Sequence, residues 1–276
     1  MSEQMPGIKV LGYYDGQLPE KKAKPEDFQK MLETMLLNIQ AEVNNKFSYK
    51  LLNEKGSIVM AEHSDLVFDE KNITNSVQAW ANEQHKTPEE WYEAKAKNPS
   101  IIAEMAITIV LHKLLGSRFI VARASEYDDY NYGVDNVLID KETGAVVCGF
   151  DEVLGFNGDD GDQIKNKKIQ NKIAHGGTSL KYGATLVAGK IERRELKNIP
   201  TFYLSISKEE LNTLLTNLKA TSSVTENEKK LAIKLLASLD KQYIEAEKIA
   251  TNTALRENLE KFAHSLGVIK QEIEKK

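Results

Sequence analysis

Cysteine is almost absent from this sequence, since Cys148 is the only one among 276 residues. One cysteine can form neither an internal disulfide nor a cysteine-based zinc site. Cys148 lies in an apolar run, which is typical of a small buried side chain rather than of a catalytic thiol. Proline and glycine are also scarce, at six and sixteen residues, which argues against a chain rich in linkers or disorder.

Long hydrophobic runs are missing as well. No segment approaches the roughly 20 apolar residues of a membrane-spanning helix, and the opening MSEQMPGIKV lacks the features of a signal peptide. We therefore expect a cytoplasmic protein without a membrane partner. The net charge is −4 and the pI is about 5.9, so contact with nucleic acid would need a local basic patch.

Common catalytic signatures are not found either. The sequence has no HExxH, Walker A, GxGxxG or GxSxG motif, the usual marks of zincins, P-loop enzymes, dinucleotide enzymes and α/β-hydrolases. The segment NGDDGD at 157–162 looks like a calcium loop, but Gly161 stands where the third acidic ligand belongs. We expect a loop there that ends at Asp162, as the cap of the next helix.

The composition is that of a globular protein, with 41% hydrophobic and 28% charged residues. Its patterning divides the chain into three segments. Residues 1–98 are predicted to be a mostly helical addition, 99–220 an α/β core, and 224–276 a helical segment. A short polar linker at 221–223 separates the last two.

Periodicity and capping residues predict the order of elements. Helices are expected at 25–44, from Pro88 after a Thr87 cap, and at 101–115, 162–174, 208–219 and 225–263. Strands are expected at 8–13, in a hairpin within 48–72, and at 119–124, 134–139, 145–150, 180–188 and 201–207. The fold class is therefore α/β, a mixed central sheet flanked by helices, with helical N- and C-terminal additions.

The C-terminal segment carries an apolar stripe at helical spacing: Leu231, Leu235, Leu239, Tyr243 and Ile249. One interpretation is a helix, broken once, that packs on the main domain. The other is a helix that forms a homodimer.

The segment YDDYNYGVDNVLIDKETGAVVCGFDEV at 127–153 places acids in a predicted apolar hairpin. If the loop is 140–144, Asp135 lies opposite Gly149 and shares a face with Asp151. If the loop is 141–144, the register moves by one and Glu152 joins Asp135 instead. We prefer the first register, because Gly149 would leave space beside the carboxylates.

Two carboxylates this close repel each other unless a cation lies between them. Mg²⁺ commonly uses one or two protein carboxylates together with waters and substrate phosphates. The spacing therefore predicts a Mg²⁺ (or Mn²⁺) site at Asp135 and Asp151, although two solvated acids at a sheet end remain the alternative.

Residues 100–215 resemble the PD-(D/E)XK nuclease-like superfamily. The resemblance lies in Glu104 of AEMAITIVLHKLLG, Asp135 of GVDNVLID and Asp151 of CGFDEV, within the order helix, three strands, helix, strand. It implies a restriction-endonuclease-like core, a divalent metal at the two Asp, and phosphodiester hydrolysis. Glu104 would bind a metal-bound water.

The sequence departs from this family at Val153, where the motif has a lysine two residues after the acid. Some similar proteins supply that lysine from the following helix. Lys165, Lys168 and Lys172 share one face of the predicted helix. We take Lys168 as the best candidate for the catalytic lysine.

The stretch 165–197 is basic within an acidic chain, which suits phosphate contacts but equally a solvated surface. The candidate nucleic-acid contacts are Lys165, Lys168, Lys172, Lys181, Arg193 and Arg194. The acids of SEYDDYNYG at 125–133 could extend the metal site, and its tyrosines could stack on bases. We favour the alternative, a polar loop whose tyrosines pack on the domain.

The expected function is a Mg²⁺-dependent nuclease acting on DNA or RNA. Two alternatives stay open: an inactive nuclease-like module that binds nucleic acid or a protein, and a structural protein that assembles through its C-terminal helices.

Overall fold

The computed structural model describes residues 25–155 and 160–276. The predicted strand at 8–13, the predicted loop at 157–159 and the side chain of Asp162 lie outside the described part. The described residues form nine helices: α1 (Pro25–Phe47), α2 (Leu66–Glu83), α3 (Pro88–Ala96), α4 (Pro99–Leu115), α5 (Glu126–Tyr132), α6 (Asp160–Ala174), α7 (Lys208–Asn217), α8 (Glu226–Ile249) and α9 (Thr253–Glu274).

The same residues form eight strands: β1 (Phe119–Arg123), β2 (Asn136–Asp140), β3 (Val146–Gly155), β4 (Thr178–Leu180), β5 (Ala184–Val187), β6 (Lys190–Arg193), β7 (Leu196–Ile199) and β8 (Thr201–Ser207). The central sheet has four strands in the order β1-β2-β3-β8. The pairs β1–β2 and β2–β3 are antiparallel, and β3–β8 is parallel. The predicted mixed α/β class is confirmed at this level.

The helix α4 is the hydrophobic centre of the fold. Asn98 caps it and Pro99 occupies its first turn, and nearly every residue from Ile102 onward is buried. A helix that is apolar all round is expected to be covered on all sides. It contacts β1, β3 and the helices α1, α8 and α9, so that it joins both ends of the chain to the sheet.

The C-terminal helices α8 and α9 pack on this core. Leu231, Leu235 and Leu239 are buried, and Phe262 of α9 stacks on Phe202 of β8 at 4.3 Å. One continuous hydrophobic cluster runs from Leu32 to Ile273. The stripe on α8 is thus largely used within the chain, and the homodimer stays a prediction.

The β2–β3 hairpin differs from the preferred register. Val137, not Asp135, lies opposite Gly149, and Asn136 lies opposite Phe150. The pairing of Ile139 with Val146 fits the alternative register, and an irregularity between Leu138 and Ile139 shifts the strand by one more residue. The preferred register was wrong for two reasons: the loop is shorter, because β2 extends to Asp140, and the irregularity shifts the pairing by one residue more.

Three element predictions were also wrong. The segment 125–133 is the helix α5 rather than a loop. The predicted hairpin at 48–72 reduces to one bridge, Leu52↔Ile58, because α2 begins at Leu66. The predicted strand at 180–188 is split between β4 and β5.

Among the described residues no single helix is both long enough and apolar enough to cross a membrane. The pair α3 and α4 meets that test only when taken together, and it is bent by 56° at the break.

Candidate active site

The helix α5 places two acidic side chains in different surroundings. The Ser125 side chain caps this helix by accepting the backbone N–H of Asp128, and Gly133 ends it in the left-handed conformation, with φ 57°. Asp128 accepts the backbone N–H groups of Lys181 and Tyr182, whereas Asp129 lies within hydrogen-bonding reach of Asp135. The turn at Gly133 therefore returns the chain so that Asp129 faces the start of β2.

Asp135 lies where the hairpin opens. Its backbone N–H donates to the Phe150 carbonyl at 2.8 Å, and its Oδ2 atom accepts the backbone N–H of Glu152 at 2.6 Å. Burial raises the pKa of Asp135 well above its usual range, and the charges of Glu152, Glu104 and Asp151 raise it further. Without a cation nearby, this carboxyl group therefore keeps its proton to a higher pH than an exposed aspartate does.

Glu152 is buried beside Asp135. Its Oε1 atom accepts a hydrogen bond of 2.7 Å from Asn136 Nδ2, while its Oε2 atom has no partner within the described residues. Burial raises the pKa of Glu152 to about 8, against the opposing effect of the Asn136 hydrogen bond. The Asp135 and Glu152 carboxyl groups are close enough to share a hydrogen bond when one of them is protonated.

Asp151 has a different partner. Lys165 of α6 forms an ion pair with its Oδ1 atom. A Cβ atom placed on Gly133 would lie 3.9 Å from Asp151 Oδ2 and 3.4 Å from Lys172 Nζ. Lys172 donates to the Gly133 carbonyl at 2.8 Å, and burial lowers the pKa of its amine. Lys172 and Asp151 thus lie beside the glycine turn, and Lys165 is linked to it through Asp151.

Glu104 projects from α4 into the same acidic region. Arg123 of β1 donates to its Oε2 atom at 3.0 Å. Burial raises the pKa of Glu104, Arg123 opposes that rise, and the charge of Asp129 adds to it. Glu104 thus lies close enough to Asp135 for its charge to affect that carboxyl group, and it is held by an arginine.

The acidic cluster is defined here as the carboxyl groups of Glu104, Asp129, Asp135, Asp151 and Glu152. Burial together with neighbouring negative charge raises the pKa of most members, which is the electrostatic condition that a bound divalent cation relieves. All their donors are oxygens, the ligands that Mg²⁺ and Mn²⁺ prefer. In the part of the chain that the structure describes, no three His, Cys, Asp or Glu side chains form a ready cage.

The arrangement therefore suits a hard cation held by one or two carboxylates, with water or substrate oxygens completing its shell. Within the described residues, the Glu152 Oε2 atom is buried and has no hydrogen-bond partner, so it is available to a cation. The chemistry that such a site can perform is the binding and hydrolysis of a phosphate ester.

Lys168 does not join the cluster. It lies on the exposed side of α6, whereas Lys165 contacts Asp151 and Lys172 contacts Gly133. The α6 amine in direct contact with a cluster carboxylate is therefore Lys165.

The basic stretch 165–197 does not form one continuous exposed surface, because several of its side chains bind within the protein. Lys181 forms ion pairs with Asp65 and Asp69, at 3.1 and 2.7 Å. Arg193 donates to the Tyr49 hydroxyl and to the carbonyls of Val59 and Lys50. Lys168 and Arg194 are exposed.

The sequence reasoning missed three members of the site. Asp129 was assigned to a loop, although Ser125 and Asp128 have the serine–acid spacing that starts a helix. Nothing in the sequence marks Asn136 and Thr108 as site residues, because a buried amide or hydroxyl suggests a role only once its hydrogen-bond partners are known. Thr108 Oγ1 lies 2.9 Å from Asn136 Oδ1.

Comparison with known proteins adds no relative: no family model, no curated protein and no solved structure matches this chain. Its site is therefore interpreted from its own geometry.

Proposed function

We propose that this protein is a divalent-metal-dependent nuclease that hydrolyses phosphodiester bonds in DNA or RNA. The observation that carries the proposal is the closeness of the half-buried Asp135 to the buried Glu152, whose backbone N–H donates to Asp135 Oδ2 at 2.6 Å. Two carboxyl groups with raised pKa lie side by side, and the Glu152 Oε2 atom has no donor within the described residues. Such an arrangement is unfavourable without a cation and favourable with one.

The order of elements supports the same proposal. Apart from α5 and the short strands β4–β7, which are inserted, the run α4, β1, β2, β3, α6, β8 follows the order of the PD-(D/E)XK nuclease-like superfamily. Glu104 lies on the first helix of this run, Asp135 directly precedes its second strand, and Asp151 lies in its third. We propose on this basis a restriction-endonuclease-like core.

Asp135 would hold Mg²⁺ or Mn²⁺ together with one further carboxylate, either Asp151 or Glu152, whose Oε2 atom has no partner within the described residues. When bound, the cation would polarise the scissile phosphate and lower the pKa of a coordinated water. The Lys165 ammonium balances Asp151 in the absence of that cation. It is also placed to stabilise negative charge that develops on the phosphate oxygens.

In the hydrolysis a water oxygen forms a bond to phosphorus while the bond from phosphorus to the leaving oxygen breaks. The water proton passes to solvent or to a neighbouring carboxylate, and the leaving oxygen takes up a proton. Lys165 takes the role predicted for Lys168, because its amine contacts a cluster carboxylate. Lys168 and Arg194 remain candidates for contacts with the nucleic-acid backbone, since both are exposed.

A nuclease-like module without catalysis is the second candidate. It is favoured by the ion pair of Lys165 with Asp151, which already neutralises one proposed ligand, and by the lack of a three-ligand cage among the described residues. Such a module would bind nucleic acid or a protein and cleave nothing.

Calorimetric titration of Mg²⁺ and Mn²⁺, followed by cleavage assays on mixed DNA and RNA, tests the proposal. Asp135→Asn is the sharpest variant, because its amide oxygen can still accept the Glu152 N–H while the negative charge is removed. Asp240→Asn, which alters an exposed ion pair with Lys270, is the matched control. We expect binding and cleavage in the wild type and the control, and loss of both in Asp135→Asn.

The second candidate would instead give binding of nucleic acid with no metal-dependent cleavage in any variant. Cleavage that survives in Asp135→Asn would contradict the assignment of the site.

A further inference from the structure

A chain of buried polar side chains connects α4 to the acidic cluster. Thr108 and Asn136 are almost fully buried, at 1% and 0% exposure. The Thr108 hydroxyl lies 2.9 Å from Asn136 Oδ1 and 2.8 Å from the Glu104 carbonyl, and Asn136 Nδ2 donates to Glu152 Oε1 at 2.7 Å. The chain therefore runs from a helix, through β2, to the glutamate on β3.

The direction of these hydrogen bonds follows from the donors available when Glu152 is ionised, as it is when it binds a cation. The Thr108 hydroxyl shares its proton between the Glu104 carbonyl and Asn136 Oδ1, and a carboxylate can only accept, so the Asn136 amide turns its N–H₂ group toward Glu152. Asn136 thereby occupies one oxygen of Glu152. The other oxygen, Oε2, is buried and has no partner within the described residues.

Position in the chain adds a second constraint. Asn136 follows Asp135 directly, and the Asp135 side chain accepts the backbone N–H of Glu152. Asp135 therefore binds the backbone of Glu152, while Asn136 binds its side chain. The backbone and the side chain of Glu152 are thus held by consecutive residues, Asp135 just before β2 and Asn136 at its start.

We infer that Asn136, oriented by Thr108, is a positioning residue that directs the free Oε2 atom of Glu152 toward a divalent cation held at Asp135. This inference rests on the proposed function, because it assumes the cation site. It makes Glu152 a ligand of the cation beside Asp135. It also gives the buried Asn136 amide the role of orienting that ligand.

The test uses Mn²⁺ affinity, measured by calorimetry on the full chain, together with the thermal midpoint of the metal-free protein. Asn136→Leu removes the donor at similar size, and Thr108→Val removes the hydroxyl that orients the amide. Thr185→Val is the matched control, since Thr185 is a buried threonine of β5 whose hydroxyl has no partner within the described residues. Thr108→Ser restores the hydroxyl.

We expect Asn136→Leu to weaken Mn²⁺ binding by about tenfold to a hundredfold, the usual effect of losing a group that orients a ligand. Thr108→Val should weaken it by about tenfold. Thr185→Val and Thr108→Ser should bind as the wild type does, whatever their thermal midpoints. If Asn136→Leu does not fold, Thr108→Val and Thr108→Ser decide.

Wild-type affinity in a folded Asn136→Leu, or in Thr108→Val, would overturn the inference and leave the proposed nuclease intact. Weaker Mn²⁺ binding in the variants of a protein that cleaves no nucleic acid would support the inference and remove the proposed activity. A wild type that binds no Mn²⁺ would overturn both.

Discussion

The Asp135 carboxylate accepts the backbone N–H of Glu152 at 2.6 Å, and this bond joins β2 to β3 where their acidic residues meet. The bond stabilises a carboxylate on Asp135, whereas burial and neighbouring charge favour its protonated form. The hydrogen bond and the burial therefore have opposite effects on the pKa of Asp135. The site is therefore sensitive both to pH and to any cation that enters it.

The first prediction concerns stability against pH without metal. Glu152 has an ordinary pKa of 4.5, and burial raises it to about 8 in the folded chain. Its protonated form therefore adds stability that is fully present below pH 4.5 and is lost as the pH rises toward 8. The free energy of unfolding should fall by up to about 1.4 kcal/mol per pH unit across this range.

Glu152→Gln removes this titration while keeping the acceptor for Asn136. In metal chelator, urea unfolding between pH 5 and pH 8 should give a flatter pH profile for this variant than for the wild type. Glu142→Gln, on the exposed hairpin loop, is the control and should keep the wild-type slope. Equal slopes in Glu152→Gln and the wild type would contradict the raised pKa.

The second prediction separates the lysines of α6. Lys165→Met frees Asp151 from its ion pair, so Mn²⁺ binding should be equal or tighter while cleavage falls by about a hundredfold. Lys168→Met, on the exposed side of the same helix, should change neither quantity by more than severalfold. If Lys168→Met lost cleavage and Lys165→Met did not, Lys168 would be the catalytic lysine, as the sequence predicted. Calorimetry and single-turnover cleavage measure the two effects.

The third prediction compares two glycines with positive φ. Gly133 has φ 57° and Gly189 has φ 77°, so alanine should cost about 1 kcal/mol of stability at either position. A Cβ atom at Gly133 would be in ordinary contact with Lys172 Nζ, at 3.4 Å, whereas at Gly189 it would meet nothing within 4 Å. Gly133 ends the helix that carries Asp129 and precedes Asp135, so only Gly133→Ala should also reduce cleavage, by about tenfold. Equal cleavage by both variants would contradict a role for the Gly133 turn in placing these acids.

The central elements could be predicted from the sequence because their signals are local. The apolar residues of α4, the Pro88 start of α3 and the Ser207 cap of α7 each identify an element without knowledge of its neighbours. The acidic pair at Asp135 and Asp151 was likewise proposed from its position beside apolar runs, and a metal site there stays a prediction. These predictions required only spacing and composition.

The register and the partners required the folded chain. A bulge between Leu138 and Ile139 has no composition signal, yet it places Asn136 opposite Phe150 and decides which acids meet. The pairing of Lys165 with Asp151 depends on how α6 lies against β3, which helical periodicity alone does not specify. For the same reason the basic character of 165–197 did not reveal that Lys181 and Arg193 bind within the protein.

The fourth prediction concerns Lys181, which pairs with the buried Asp69. Lys181→Met should lower the free energy of unfolding by about 3 kcal/mol, because the charge of Asp69 loses its partner in a buried position. The double variant Lys181→Met with Asp69→Asn should recover part of that loss. Arg194→Gln should leave stability unchanged and weaken nucleic-acid binding at low salt. Urea unfolding and a salt series of binding assays separate the two roles.

The fifth prediction concerns the C-terminal helices, whose two sides should respond differently to substitution. Phe262→Ala removes a fully buried ring stacked on Phe202, so stability should fall by about 3–5 kcal/mol.

Ile233 and Ile244 lie on the outer side of α8 and are half exposed, at 51% and 50%. Replacing both with Glu should leave the thermal midpoint close to that of the wild type. If α8 forms the predicted homodimer, the same change should abolish it in sedimentation equilibrium, because charges would face each other across the interface. A dimer that persists in the double variant would place the interface elsewhere. Deletion of 224–276 would not give this information, since it also removes Phe262 and the other buried residues that complete the core around the sheet.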